Sequence, residues 1–192
     1  MDTFMHTGTI CVWSRRDRTW ELLRRLTGHS GSVLALAVLP LNRAPESSPR
    51  CLLASASDDK TIRLWDYEND WHECTVTVGH EDSVTLLAVC DGPADKANTD
   101  PYLLSFSDDH TARVWEVGAG GHLAEERRDR HRGSEGSAAA PLALTCVCTQ
   151  TLPTCCSAVT AGVLSGQDGA TGRGAVLTGS FDGKLLVWGT SP

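Results

Sequence analysis

The sequence lacks the features of several well-known functional classes. It has no basic excess, because 17 lysines and arginines stand against 24 acidic residues, which gives a net charge of −7. Proteins that bind a nucleic-acid backbone carry such an excess, so we expect no nucleic-acid partner. No apolar run reaches the roughly 18–20 residues that cross a bilayer, so we expect no membrane insertion. The first residues, MDTFMHTGTICVW, do not resemble a secretory signal, and we therefore expect a cytoplasmic or nuclear location.

The cysteines, eight in all, form no recognisable metal site or disulfide framework. A zinc site needs pairs spaced C-x2-4-C, with a second pair or histidines beyond. The closest sets here are Cys146 with Cys148 and the adjacent Cys155 and Cys156. Because C-x-C in a strand points both thiols to one face, we interpret them as one buried strand plus two loop thiols. We expect reduced thiols, no metal and no cofactor.

One sequence pattern occurs three times. It reads LASASDDKTIRLWD at Leu53–Asp66, LLSFSDDHTARVWE at Leu103–Glu116 and LTGSFDGKLLVWGT at Leu177–Thr190. In each copy an aspartate lies six residues before the tryptophan, a serine eight before it and a second hydroxyl ten before it. A Gly-His pair precedes the first two copies, with the histidine 36 and 35 residues before the tryptophan. Such regular self-similarity indicates a repeat architecture.

Each repeat predicts four antiparallel strands and no helix of useful length. The segments LLASAS and YLLSFS suit strands, DDK and DDH suit tight turns, and TIRLW and TARVW suit the return strands. The apolar runs SVLALAV and SVTLLAV suit strands that are covered on both faces. The segments TWELLRRL and WHECTVTV, ahead of the Gly-His pairs, supply a fourth strand.

The recurring polar residues predict a buried hydrogen-bond network in each repeat, since buried polar groups need partners. An indole N–H would donate to a hydroxyl, the hydroxyl to an imidazole and the imidazole to a carboxylate, which specifies one packing. Which of the two hydroxyls takes part stays open at this point. The predicted network residues are His29, Ser57, Asp59 and Trp65; His80, Ser107, Asp109 and Trp115; and His131, Ser180, Asp182 and Trp188, with Ser55, Ser105 and Thr178 as the farther hydroxyls and His122 as a second candidate histidine.

A catalytic interpretation of these residues is the main alternative, because Ser-His-Asp triads use the same residue types. A hydrolase triad occurs once and needs an exposed nucleophile. This set recurs in register in three copies. We therefore expect a protein that is not an enzyme and has no catalytic residues.

The Gly-His pair followed about 35 residues later by Trp-Asp resembles the WD40 β-propeller repeat. The first copy has the Trp-Asp dipeptide at Trp65-Asp66, whereas Trp115-Glu116 and Trp188-Gly189 differ at the second position. We expect the second position to tolerate substitution best among the recurring residues. The resemblance implies an all-β partial ring of about three four-stranded blades plus a strand of another. Because propellers take roughly four to eight blades, we expect 1–192 to be a propeller fragment. We expect a partial blade at 8–14, blades at about 20–67, 71–117 and 122–190, and insertion loops at 118–140 and 151–174.

A finer resemblance lies in the segment DYENDWHECTVTVGHEDSV, which starts at Asp66. A short acidic linker, then Asp70-Trp71, Cys74 and Gly79-His80-Glu81, is similar to the cytosolic iron–sulfur protein assembly WD-repeat subunit. That resemblance implies a non-catalytic scaffold of a targeting complex, with that complex's subunits and apoproteins as partners and no cluster of its own. The alternative is a generic WD40 adaptor in ubiquitin ligation, RNA processing or signalling. Partner-contact residues are not identified by the sequence.

Overall fold

The computed structural model describes residues 8–41, 50–90, 100–119, 142–152, 158–165, 174–180 and 185–189. Within these ranges the chain forms thirteen β-strands and no helix. No helix long and apolar enough to cross a membrane is therefore found in that part of the chain. The strands are β1 (Thr9–Arg16), β2 (Thr19–Thr27), β3 (Val33–Leu41), β4 (Arg50–Ser57), β5 (Thr61–Asp66), β6 (His72–Val78), β7 (Val84–Cys90), β8 (Tyr102–Ser107), β9 (Thr111–Ala119), β10 (Leu142–Thr151), β11 (Ala158–Ser165), β12 (Gly174–Ser180) and β13 (Leu185–Gly189).

These strands form four antiparallel sheets in which each strand pairs with its neighbour along the chain. The orders are β1-β2, β3-β4-β5-β6, β7-β8-β9-β10 and β11-β12-β13. The two four-stranded sheets have the form of propeller blades, and we call them the first and second blade. The predicted all-β class, with four-stranded blades of a partial propeller, is confirmed.

The predicted blade boundaries 20–67 and 71–117 need a correction of one strand. Strand β2 pairs with β1, and β6 closes the first blade by pairing with β5. A tight turn causes this shift, since Asp70 and Trp71 adopt φ of 56° and 60° and the His72 N–H donates to the Asn69 carbonyl. Each sequence repeat therefore begins with the last strand of one sheet and continues into the next sheet.

The third predicted blade, 122–190, is corrected in two places. Strand β10 pairs with β9 and completes the second blade, rather than opening a third. Strand β11 lies within the predicted loop 151–174 and pairs with β12. The glycine-dense sequence around β11 concealed its apolar segment AVTAGVLS. Most of the other predicted insertion, 118–140, lies outside the described residues.

The main hydrophobic core lies between the first and second blades. Residues at alternate positions point to the same face of a strand, so one face of β4 and β5 meets the opposing face of the next sheet. A smaller cluster of Ile10, Leu26 and Trp65 joins β1 and β2 to the first blade. The main core includes Leu39, Leu52, Ala54, Ile62 and Leu64 from the first blade and Val84, Leu87, Leu103, Trp115 and Val117 from the second.

The predicted burial of the C-x-C strand is wrong. Cys146 and Cys148 are both exposed on β10, which is the outer strand of the second blade. A β-bulge between them shifts the register, so that Cys146 pairs with Trp115 and Cys148 with Val114. Cys155 and Cys156 lie outside the described residues. In the described ranges, no group of three histidine, cysteine or acidic side chains is placed to hold a metal ion.

Substitution of Leu64 tests the core between the blades. Leu64 is fully buried in β5, so Leu64→Ala should lower the free energy of unfolding by about 2–5 kcal/mol through lost burial and a residual cavity. Leu23→Ala, at an exposed position in β2, is the matched control and should change it by less than about 0.5 kcal/mol. Urea unfolding measures both, and equal effects would contradict this placement of the core.

Candidate functional site

In the first blade, the polar residues form one continuous chain of hydrogen bonds. The Trp65 Nε1–H donates to Ser55 Oγ at 2.9 Å. His29 Nδ1 lies 2.9 Å from Asp59 Oδ2, a carboxylate oxygen that can only accept, so Nδ1 carries the proton. The opposite ring nitrogen, Nε2, therefore accepts the Ser55 hydroxyl proton at 2.7 Å. We call these four side chains the first latch; they connect β5, β4, the loop before β3 and the β4–β5 turn.

The second blade repeats the arrangement closely. Trp115 Nε1–H donates to Ser105 Oγ at 2.8 Å, and Ser105 Oγ lies 2.7 Å from His80 Nε2. His80 Nδ1 lies 2.9 Å from Asp109 Oδ2. We call this set the second latch. Two copies of the sequence repeat thus have the same geometry to within 0.1 Å at each bond.

The hydroxyl that joins indole and imidazole is the farther one, Ser55 and not Ser57. Strand pairing places Leu53 opposite Trp65, so Ser55 is the diagonal neighbour on the same face and lies within reach of the indole. Ser57 lies at the strand end, where its Oγ accepts the Asp59 N–H at 3.1 Å and stabilises the turn. The same holds in the second blade, where Ser107 Oγ accepts from the Asp109 N–H at 3.1 Å. The central hydroxyl therefore belongs to Ser55 and Ser105, which corrects the prediction of Ser57 and Ser107.

Sequence reasoning missed a threonine in each latch. Thr61 Oγ1 donates to Asp59 Oδ1 at 2.5 Å, and the Thr61 N–H donates to the same oxygen at 3.0 Å. Thr111 does the same for Asp109 at 2.6 and 2.8 Å. The signal was available, because a threonine follows the aspartate by two positions in both copies. The third copy has Lys184 at that position.

Electrostatics keep the aspartate charged and the histidine neutral in both latches. Burial alone would raise the pKa of Asp59, but hydrogen bonds from Thr61, His29 and the Ser30 backbone lower it to about 2. Asp109 has its pKa lowered in the same way. Burial lowers the pKa of His29 and His80 below the ordinary 6.5, although each faces a carboxylate that raises it.

The third predicted set falls largely outside the described part of the chain. This applies to His131, to Asp182 and to the side chains of Ser180 and Trp188. The described backbone of β12 and β13 pairs Val176 with Trp188 and Thr178 with Leu186. That register matches the pairing of Leu53 with Trp65 and of Ser55 with Arg63 in the first blade. The backbone register therefore makes Thr178 the positional equivalent of Ser55.

Close packing explains why glycine precedes each latch histidine. A Cβ atom at Gly28 would lie 2.6 Å from Arg63 Nη1 and 2.8 Å from Glu73 Oε2. These two side chains form an ion pair between β5 and β6. A Cβ atom at Gly79 would lie 2.7 Å from the ring atom Cη2 of Trp115. The two residues of the Gly-His pair thus have complementary roles. The glycine leaves room for the neighbouring side chain, and the histidine accepts a hydrogen bond from the serine.

The acidic residue after the tryptophan makes more contacts in the first repeat than we expected from the sequence. Asp66 is buried and forms an ion pair with Arg50 of β4. Its Oδ1 also accepts the Glu68 N–H at 3.1 Å, and Asn69 donates to its Oδ2. Asp66 thus fixes the β5–β6 turn. Glu116, in the second repeat, is exposed.

The geometry of the latches does not suit catalysis. Ser55 and Ser105 are each 0% exposed, and both hydroxyls already bond an indole and an imidazole. A nucleophile must reach its substrate, so these hydroxyls have no access to one. The arrangement instead connects the inner loop, the turn and the strands of each blade.

Comparison with known proteins agrees with this repeat structure. Residues 20–66 and 72–116 match the WD40 family model, described as WD domain, G-beta repeat. The chain is 38% identical over 96 residues to nuclear distribution protein PAC1-2 of Uncinocarpus reesii, covering 50% of this chain and 19% of that protein. It is 36% identical over 107 residues to probable cytosolic iron-sulfur protein assembly protein 1 of Neurospora crassa, covering 51% and 23%.

A further match is Elongator complex protein 2 of Danio rerio, 39% identical over 71 residues, covering 37% of this chain and 8% of that protein. The chain spans less than a quarter of the length of each of these three relatives. The two segments that match the family model contain the latch residues from Ser55 to Trp65 and from His80 to Trp115, together with His29.

The two serines of the first blade provide a test of the corrected latch. Ser55→Ala leaves the Trp65 N–H and His29 Nε2 without their partner, so it should lower the free energy of unfolding by about 1–3 kcal/mol. Ser57→Ala removes one turn hydrogen bond and should cost about 0.5–1.5 kcal/mol. Urea titration of both variants measures the difference, and a larger loss for Ser57→Ala would reverse the correction.

The lowered histidine pKa values predict that acid weakens the fold. At pH values between the lowered pKa of each latch histidine and its unfolded value of 6.5, the unfolded chain binds more protons than the folded chain. The free energy of unfolding is therefore unaffected by these histidines above pH 6.5 and decreases as the pH falls below it. A further loss begins near pH 3.8 and continues toward pH 2 as Asp59 is protonated. The urea midpoint should therefore decrease from pH 7 to pH 5.

Two variants test whether the latch histidines cause that acid sensitivity. His80→Gln should flatten the decrease between pH 7 and pH 5, because one titrating latch histidine is gone. His72→Gln, at an exposed site on β6, is the control and should keep the full decrease. A wild-type midpoint that stays constant over this interval would refute the neutral-imidazole assignment.

Proposed function

Residues 20–66 and 72–116 are WD40 repeats, and we propose that this chain is a non-catalytic scaffold that binds other proteins. The observation that carries this proposal is the complete burial of Ser55 and Ser105 within the latches. The Ser-His-Asp residues that could have supported chemistry serve to connect strands. Function on such a fold then belongs to its loops and exposed edges.

The assembly that we propose is the cytosolic iron–sulfur protein targeting complex, which delivers preassembled clusters to cytosolic and nuclear apoproteins. Two observations support it. The Neurospora crassa relative named for cytosolic iron–sulfur protein assembly is 36% identical over 107 residues. The acidic linker with Asp70-Trp71 and Cys74 is similar to that family. The proposed location is accordingly the cytoplasm, with the nucleus as a second site.

The linker residues contact other parts of this chain. Trp71 packs edge-to-face on Tyr67 with ring centroids 5.2 Å apart, and it also contacts the cluster of Ile10, Leu26 and Trp65. Asp70 forms an ion pair with Arg24 of β2. The linker thus attaches the β1–β2 hairpin to the first blade.

The Cys74 thiol is a poor candidate for holding a cluster. Burial raises its pKa, and the neighbouring Asp66 carboxylate acts in the same direction. Metal ligation needs the thiolate, and a raised pKa disfavours that form. This supports a scaffold in which a partner holds the cluster as cargo.

A second candidate is an adaptor in another WD40 assembly, and the relatives supply its support. Nuclear distribution proteins PAC1 and PAC1-2 and Elongator complex protein 2 are 34–39% identical to this chain over 71–110 residues. Ubiquitin ligation, RNA processing and signalling are further settings for such an adaptor. The two candidates share the latches and differ in the partner that they bind.

Affinity purification of the tagged chain from cytosol distinguishes these candidates. We expect subunits of an iron–sulfur targeting complex among the recovered proteins, identified by mass spectrometry. The core variant Leu64→Ala, compared at equal protein level, should recover less because its fold is weakened. Recovery of ubiquitin-ligase subunits alone would reject the iron–sulfur assignment and retain the scaffold role.

Metal analysis of the purified chain tests the proposal that it carries no cluster. We expect iron and zinc far below one atom per chain, because the described residues offer no clustered ligands. Near-stoichiometric iron that is lost in Cys74→Ser would overturn the scaffold-only role. Cys51→Ser, at another partly buried thiol, is the matched control.

A further inference from the structure

An arginine of the second blade lacks the acidic partner that its equivalent has in the first blade. Arg63 of β5 and Arg113 of β9 occupy the same place in the repeat, two residues before the tryptophan. Arg63 forms an ion pair with Glu73 of β6. For Arg113, which is partly buried, no hydrogen bond or ion pair of the guanidinium is found among the described residues, and its Nε atom is buried. A partly buried cation without a counter-charge favours the binding of an anion.

Strand register identifies the residue that stands in place of Glu73. In the first blade, Trp65 pairs with Glu73, and a β-bulge lies immediately before this tryptophan in the register of β5 and β6. In the second blade, a β-bulge at the same point of the register of β9 and β10 lets Trp115 pair with Cys146. Cys146 is therefore the positional equivalent of Glu73. A thiol lies where the first blade has the carboxylate that binds the arginine.

Cys146 shares a face of the sheet with Arg113, whereas Cys148 does not. Residues that pair across an antiparallel ladder point to the same face. Cys146 pairs with Trp115 and Cys148 with the residue before it, so the two thiols point to opposite faces. Arg113 pairs with Thr149, whose hydroxyl oxygen lies 3.5 Å from the Cys146 sulfur. Both thiols are exposed, and the bulge thus places one of them on the face of the unpaired arginine.

We propose that Cys146 and Arg113 form a site for reversible thiolation by a small disulfide that carries a carboxylate, such as glutathione disulfide. The Cys146 sulfur attacks one sulfur of the disulfide and forms a new S–S bond, and the other half leaves as a thiol that takes up the proton lost by Cys146. The small disulfide is thereby reduced as Cys146 is oxidised. The carboxylate of the attached half then binds the Arg113 guanidinium, as Glu73 binds that of Arg63. This inference does not depend on the proposed scaffold role.

The site distinguishes modifying groups by their charge. An exposed thiol alone exchanges with small disulfides of any charge, and Cys148, on the opposite face of β10, is such a thiol. At Cys146 the guanidinium of Arg113 attracts an anionic group and repels a cationic one. The preference of Cys146 for an anionic group, measured against that of Cys148, therefore reports the contribution of the arginine.

Three probe disulfides that differ in charge measure this preference. The reduced 192-residue chain would be equilibrated separately with the disulfides of mercaptoacetate, mercaptoethanol and cysteamine, which attach an anion, a neutral group and a cation. After the free thiols are alkylated, fragment-ion mass spectrometry gives the modified fraction of each cysteine. The equilibrium constant at Cys146 should be about threefold or more higher for the anionic than for the neutral probe, and lowest for the cationic probe. Cys148 is the matched control and should show no such order.

Removal of the guanidinium tests whether the arginine causes the preference. Arg113→Met should abolish the order of the three probes at Cys146. Arg15→Met, at an exposed site on β1, removes the same charge elsewhere and should leave the order unchanged. Circular dichroism confirms that both variants are folded. A preference that persists in Arg113→Met, or a Cys146 without any preference in the unsubstituted chain, would overturn the proposal.

A carboxylate built into the chain provides a second measurement that needs no probe. Cys146→Glu introduces the residue type of the first blade and should raise the urea midpoint above that of Cys146→Gln, because only the carboxylate pairs with Arg113. The difference should disappear when Arg113→Met is added to both variants. Equal midpoints for Cys146→Glu and Cys146→Gln would show that a carboxylate at this position does not bind the arginine, and the proposed site would be rejected.

Discussion

The constraint on which the rest of the structure depends is the burial of one serine hydroxyl between an indole and an imidazole. Ser55 and Ser105 are completely enclosed, so each must satisfy its polar atoms within the protein. That requirement holds the loop before the first strand, the second strand, the turn and the third strand in one relative position. Removing one partner leaves the others buried and unsatisfied, which makes each latch a strong determinant of a single packing.

The same burial determines the electrostatics and thereby the kind of function. An enclosed imidazole stays neutral, and the adjacent carboxylate stays ionised because backbone and threonine donors surround it. Each latch therefore has the residue types of a hydrolase triad, but its serine cannot be reached by a substrate. In the proposed scaffold, recognition therefore belongs to the loops and exposed edges of the fold.

Much of the fold was predictable because the determining residues are local and repeated. The strands β3 to β5 and β7 to β9 followed from alternation and turn residues within single copies. The assignment of strands to sheets did not follow, since the sequence repeat and the sheet differ by one strand. That difference depends on the turn at Asp70 and Trp71, whose positive φ values fold β6 onto β5. Strand β11 was missed because a short apolar segment among glycines carries a weak periodic signal.

The sequence by itself determined the residue types of the latches, their spacing and the all-β architecture, because those depend on offsets within a repeat. Only the tertiary structure decided that Ser55 and not Ser57 bonds the indole, because strand register places the farther serine diagonally next to Trp65. It also decided that Asp66 is buried against Arg50 while Glu116 is exposed. These choices depend on contacts between strands, which spacing along the chain does not encode.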